Sequence, residues 1–129
     1  MTFQDAIKSG YQNYVTFSGR ATRSEFWWWG LFQLISSLVI MMIFGGGHLV
    51  MGDATVRMHY EGGLVANLWS LANLLPGIAV GVRRLHDIDK SGWWTLIFLI
   101  PLVGAIILIV WYCTKGTLGA NRFGPEQAT

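Results

Sequence analysis

Arg20, Arg23, Glu25, Arg83, Arg84, His86, Asp87, Asp89 and Lys90 form two short polar stretches, and these are the side chains whose types could do chemistry. An imidazole beside carboxylates suits proton transfer, so His86 with Asp87 and Glu25 is the one acid–base set available for an interfacial enzyme. His86 and Asp87 are adjacent. On a helix they project about 100° apart, which suits them poorly to sharing a metal. The chain has no H-E-x-x-H, Walker A, G-x-S-x-G or Cys-x-x-Cys pattern, which removes the commonest anchors of hydrolase, nucleotide and redox chemistry. Arginines beside carboxylates more often form ion pairs that fix a loop. Arg84 stands three residues before Asp87, one helical turn, with Glu25 as the rival partner. No catalytic residue, metal ligand or cofactor is therefore expected, and Glu25, Arg84, His86 and Asp87 are expected to form a structural polar cluster. Asp89 or Ser91 would serve as a helix cap before Trp93.

The elements that hold these residues are set by three long uncharged stretches, Phe26 to Phe44, Gly62 to Val82 and Trp93 to Thr114. Each has roughly the 20 apolar residues that a helix needs to cross a hydrocarbon core about 30 Å thick. Lipid offers no partner for backbone N–H and C=O groups, so each stretch is expected to be helical. With 53% hydrophobic and 12% charged residues in 129, the chain is too apolar for a soluble fold of this size. The fold class expected is an all-α membrane protein: a single domain, residues 1–129, of three transmembrane helices and a polar tail over 115–129. A short amphipathic helix over about residues 2–17 precedes them. Phe3, Ile7, Tyr11, Tyr14 and Val15 fall near one face of it, which suits the membrane interface. Thr22-Arg23-Ser24-Glu25 fits a capping box at the first span, with Glu25 reaching back to the Thr22 N–H. Six of the seven tryptophans, Trp27, Trp28, Trp29, Trp93, Trp94 and Trp111, stand at span ends as an aromatic belt. No cleavable signal peptide is expected, because a polar and aromatic segment precedes the first apolar run.

Charge sets the orientation. Lys8, Arg20 and Arg23 precede the first span, and Arg83, Arg84 and Lys90 lie in the Arg83–Gly92 connection. The opposite side would hold Arg57 in the Gly45–Glu61 loop with Lys115 and Arg122 in the tail, so the N-terminus is expected in the cytoplasm and the C-terminus outside. His48 and His59 belong to that opposite side, away from His86. The mild net charge of +2 gives no reason to expect nucleic acid. Arg20, Arg23, Arg83, Arg84 and Lys90 are the residues expected to meet membrane lipids or a partner. The lone Cys113 excludes an internal disulfide and a cysteine metal cluster within one chain.

The second span has a polar interior. At 100° per residue, Gly63, Ala66, Asn67, Ser70, Asn73, Gly77, Gly81 and Arg84 share an arc of about 120°. Asn67, Ser70, Asn73, Gly77 and Gly81 are expected to be a helix-packing face that the smaller stripe Gly30, Gln33 and Ser37 of span one meets. Lining a water-filled path in an oligomeric channel is the alternative. Pro76 should bend span two, and Pro101 with Gly104 would permit a re-entrant break in span three, although its length suits one crossing.

Five ordered blocks then carry a resemblance: Phe17-Ser18-Gly19-Arg20-Ala21-Thr22-Arg23-Ser24-Glu25-Phe26-Trp27-Trp28; Pro76 with Val82-Arg83-Arg84-Leu85-His86-Asp87; Ser91-Gly92-Trp93-Trp94; Ile100-Pro101-Leu102-Val103-Gly104; and Asn121-Arg122-Phe123-Gly124-Pro125. Together they resemble the domain of unknown function 805 family of small bacterial inner-membrane proteins, departing at Asp89-Lys90 from a Gly-Arg-like pair. The resemblance implies a multi-pass protein of the bacterial plasma membrane. It implies no activity, cofactor or catalytic residue. The functional expectation is a non-enzymatic module whose basic cytoplasmic face engages anionic lipid or a larger membrane-protein partner. A channel or transporter subunit, a homo-oligomer and an enzyme using His86 and Asp87 are the other readings.

Overall fold

The computed structural model describes residues 1–44, 46–52, 55–61 and 63–127, with 46–52 and 55–61 as backbone alone. Gly45, Gly62 (the expected first residue of span two) and the last two residues of the expected tail lie outside the described residues.

Helix α1 (Phe3–Gln12) starts at a full capping box: the Asp5 N–H donates to the Thr2 hydroxyl and the Asp5 carboxylate accepts from the Thr2 N–H. Its hydrogen bonds from Thr2 hold the exposed Asp5 carboxyl below its ordinary value. The helix ends earlier than expected, at Asn13, whose N–H and side-chain amide both donate to the Ser9 carbonyl. Tyr14 and Val15 therefore lie beyond it. Its apolar face packs against protein. Phe3 meets Trp28 and Phe32 edge-on, Tyr11 meets Trp29 and Phe32, and Gly10 leaves room for the Trp29 ring where a Cβ would collide.

Helices α2 (Arg23–Phe44) and α3 (Gly63–Asp87) are the two elements long and apolar enough to cross a membrane. At 1.5 Å per residue they measure about 33 and 38 Å. Most of their large apolar side chains face outward, as in Met42 at 81% and Leu64 at 74% exposure. Trp27 and Trp28 are exposed as an interfacial belt requires, whereas Trp29 is buried under α1. Between the helices, where a loop was expected, β1 (Gly46–Gly52) and β2 (Thr55–Glu61) pair antiparallel in the register Gly46 to Glu61 through Gly52 to Thr55. This hairpin amends the all-α expectation. The other end of α3 continues through Arg83 to Asp87, so the expected Arg83–Gly92 loop is half helix.

The third apolar stretch is not one helix. A 3₁₀ helix (Gly92–Leu99), with the Ser91 hydroxyl at its start, is followed by α4 (Val103–Cys113). Ile100 precedes a proline and is confined to extended backbone, which ends the first piece. Leu102 then adopts φ 63° and ψ −62°, and the Val103 N–H donates to the Pro101 carbonyl at 2.7 Å. This is the uncommon γ-turn with positive φ, a strained way to reverse a chain. The two pieces fold back on each other. Trp94 near the start meets Trp111 near the end with ring centroids 5.6 Å apart, and a Cβ at Gly104 would run into the Ile97 carbonyl. Each piece spans about 16 Å, half a bilayer. The tail consequently lies at the same end as Arg20 and Asp87, where the expectation of one crossing had placed it opposite: the Thr117 N–H donates to the Asp87 carbonyl at 2.7 Å.

Candidate functional site

The polar residues converge at the end of α3 where the segment before α2, the α4 terminus and the tail meet. Asp87 is the hub. Its carboxylate accepts from Arg20 Nε at 2.9 Å and from Arg84 Nη1 at 2.8 Å, with Arg84 fully buried. The two guanidiniums spend their other donors on backbone: Arg84 on the carbonyls of Tyr112 and Thr114, Arg20 on those of Asp87, Thr117, Gly119 and Gly124. Carbonyl oxygens thereby complete the solvation that burial removes. Gly116 lies so close to the Asp87 carboxylate that a Cβ there would overlap it.

A second pair sits one helical step away. Arg83 Nη1 donates to Glu25 Oε1 at 2.9 Å, both side chains being 5% exposed, and the Ser9 hydroxyl donates to the same oxygen at 2.6 Å. Arg83 Nε and Nη2 have no hydrogen-bond partner among the described residues. Glu25 is therefore only half of the expected capping box. Its N–H donates to the Thr22 hydroxyl at 3.1 Å, but its carboxylate turns to Arg83 and ties α1, α2 and α3 together.

His86 belongs to neither pair. Its Nδ1 is 2.9 Å from the Gly19 carbonyl, which assigns the proton to that nitrogen, and its ring stacks on Phe123 at 3.9 Å between centroids. The Asn121 side-chain amide donates to the His86 carbonyl at 2.9 Å. His86, Asp87 and Glu25 thus serve three separate networks, and the structure does not assemble them as an acid–base site. Among the described residues no three of His, Cys, Asp and Glu converge to hold a metal.

The residues expected to contact lipid divide. Arg20, Arg83 and Arg84 are buried in intramolecular pairs, which corrects their assignment to a surface. Arg23 is exposed, with Nη1 3.4 Å from the Cys113 carbonyl, and Lys90 lies over the Trp111 ring at 4.6 Å. The expected packing stripe divides as well. Asn73 is buried, accepting from Tyr11 Oη at 2.7 Å and Gln33 Nε2 at 3.1 Å and donating to the Trp69 carbonyl, so it joins α1, α2 and α3. Asn67 and Ser70 are exposed. Gly77 faces open space and Gly81 the Tyr112 hydroxyl, so neither brings helix backbones together as expected. Ser9 and Thr117 enter the network without having been singled out, Tyr11 had been read only as part of the apolar face of the first helix, and Asn121 and Phe123 only within the tail block of the resemblance.

Two crossing-length helices, a buried polar knot at one end and an apolar exterior define a small multi-pass membrane protein. The chain belongs to the family described as protein of unknown function (DUF805), whose model matches residues 14–125. It is similar to the inner membrane protein YhaI of Escherichia coli strain K12, with 42% identity over 115 residues, 89% of this chain and 88% of that one. The inner membrane protein YhaH of the same strain is 40% identical over 117 residues, 89% of each chain. The uncharacterized protein YiiR, also of that strain, is 32% identical over 106 residues, 78% of this chain and 64% of that one. No solved structure matches. This is a bacterial inner-membrane protein, and the family carries no named activity.

Proposed function

We propose that the chain is a non-enzymatic membrane module with both termini in the cytoplasm, whose basic face engages anionic lipid head groups. The observation that carries this is the partition of charge. Of the nine Lys and Arg residues, Arg57 alone belongs to the hairpin between the far ends of α2 and α3, and the other eight gather where α3 ends. Folding back the third apolar stretch brings Lys115 and Arg122 to that end, making the asymmetry larger than three crossings would allow. It is the pattern of a cytoplasmic face. Arg20, Arg83 and Arg84 are buried in internal pairs, leaving Lys8, Arg23, Lys90, Lys115 and Arg122, the last in an exposed pair with Asp89, toward the head groups. Each such cation contributes about 1 kcal/mol near an anionic surface. The commitment of Glu25, His86 and Asp87 to separate structural contacts supports the non-enzymatic reading.

The test is reconstitution into nanodiscs of mixed phosphatidylglycerol and phosphatidylcholine, with the composition of the co-purified lipid as readout. Enrichment of phosphatidylglycerol that falls with salt, and disappears when those five cations are changed together to glutamine, is expected. A lipid shell matching the bulk composition would refute the proposal.

A further inference from the structure

We propose that the cavity between α3 and the folded-back pair of helices seats an acyl chain of one tightly held anionic phospholipid, with its phosphate on Arg23 and Lys115. This deepens the reading of the basic face and gives one lipid a particular site.

The cavity has a volume of about 510 Å³, within the range of small-molecule sites. Its walls are almost wholly apolar, with Leu74 and Ile78 on α3 facing Leu99, Leu108 and Ile109. Gly77 and Gly81 form its floor. Where a glycine serves close approach, an added Cβ strikes a neighbour, as at Gly104 against the Ile97 carbonyl. At Gly77 an added Cβ meets nothing within 4 Å, so the missing side chain maintains room and not contact. Rim residues Leu74, Leu99 and Ile109 are exposed, so the space opens sideways toward hydrocarbon.

The cytoplasmic end of the cavity is framed by Phe26 and Tyr112, whose ring centroids are 4.3 Å apart. Arg23 lies one turn before Phe26 on α2, and its contact with the carbonyl of Cys113 places it beside Tyr112. Arg23 and Lys115, both exposed, border one shallow cleft at the surface. Asp87 and Glu126 also border it, but the Asp87 carboxylate is held by Arg20 and Arg84, and that of Glu126 accepts the Gly119 N–H at 2.7 Å. Two cations at the head of an apolar slot match a phosphodiester joined to a hydrocarbon tail. A zwitterionic lipid would bring an ammonium to those cations, and free phosphate would leave the slot empty.

Native mass spectrometry of the protein from micelles with equal phosphatidylglycerol and phosphatidylcholine tests the site. The wild type should retain one phosphatidylglycerol. Gly77→Leu, which projects into the open space, should lose the retained lipid and the stabilisation it brings, while its thermal unfolding in phosphatidylcholine alone and the bulk lipid enrichment stay unchanged. Arg23→Gln should keep a lipid but lower the preference for the anionic one by roughly fivefold, the equivalent of one cation near an anionic surface. Retention by Gly77→Leu equal to wild type would overturn the proposal and leave the broader reading standing. On unaltered protein, phosphatidylglycerol should raise the unfolding temperature where inorganic phosphate and glycerol phosphate do not. Equal protection by phosphate alone would overturn the acyl-chain seat whatever the variants do.

Discussion

Replacing Asp87 by asparagine should be the most damaging single change at the polar end of the molecule. The substitution keeps the shape and one acceptor oxygen but removes the charge that Arg20 Nε and Arg84 Nη1 share at 2.9 and 2.8 Å. Taking one partner from a buried pair costs about 3–5 kcal/mol, because the remaining charge stays buried without compensation. Here two guanidiniums are left, at 1% and 0% side-chain exposure, so the loss should lie near the top of that range. The internal control is Asp89, whose carboxylate meets Arg122 Nε at 3.2 Å with 61% of the arginine side chain exposed. Asp89→Asn should cost at most about 1 kcal/mol. Unfolding in mixed detergent micelles of rising dodecyl sulfate content, followed by far-ultraviolet circular dichroism, measures both. The pair Asp87→Asn with Arg84→Gln should lose about 1–3 kcal/mol less than the sum of the single losses, the sign of direct coupling. Additive losses, or an Asp87 variant no weaker than the Asp89 variant, would refute the assignment of Asp87 as the hub.

Glu25→Gln should cost about 3–5 kcal/mol by stranding the buried Arg83, while Ser9→Ala, which removes one hydrogen bond to the same oxygen, should cost about 1 kcal/mol; equal losses would show that the ion pair adds nothing. Gly10→Ala should loosen α1 by about 1–3 kcal/mol through collision with Trp29, read as faster proteolysis at Lys8, and an unchanged rate would remove the close contact. Leu102→Gly should stabilise the protein by on the order of 1 kcal/mol, because it relieves the positive φ at a side chain already 75% exposed; in an unbroken helix the same change would cost about 1 kcal/mol, so the sign decides between the two shapes. With Cys113 replaced, cysteines at Ser18, Ser91 and Ala120 should all be shielded from an impermeant thiol reagent in intact cells while one at Thr55 reacts, and labelling at Ala120 alone would put the tail outside.

The membrane class and the first two spans were legible because hydrocarbon imposes a length and an unbroken apolar run. The Arg84–Asp87 pair was legible because both lie on one helix, three residues apart. Glu25 was misread for the opposite reason. Its local spacing from Thr22 satisfies a capping box, and only the approach of α3, 58 residues away in sequence, offers the stronger partner Arg83. The reversal at Leu102 hid in a segment whose apolarity never falters. Proline marked it, but hydropathy is blind to the sign of φ. Gly77 and Gly81 carried a spacing used for close helix contact, and whether a glycine meets a neighbour or a void depends on where the next helix goes. The clasp on the tail was beyond reach, since carbonyl oxygens bind Arg20 regardless of residue type.

The dependence of the polar knot on Thr117, Gly119 and Gly124 has a consequence for biosynthesis. Arg20 is made before either crossing helix, yet three of its carbonyl acceptors, on Thr117, Gly119 and Gly124, are made only after both. Until then, the Arg20 guanidinium lacks those carbonyl partners, the kind of exposed defect that quality control removes. Synthesis of the segment 117–124 is thereby coupled to survival. A chain cut short before Thr117 keeps both crossing helices and leaves all three acceptors missing, so proteolysis can discard it without testing either helix.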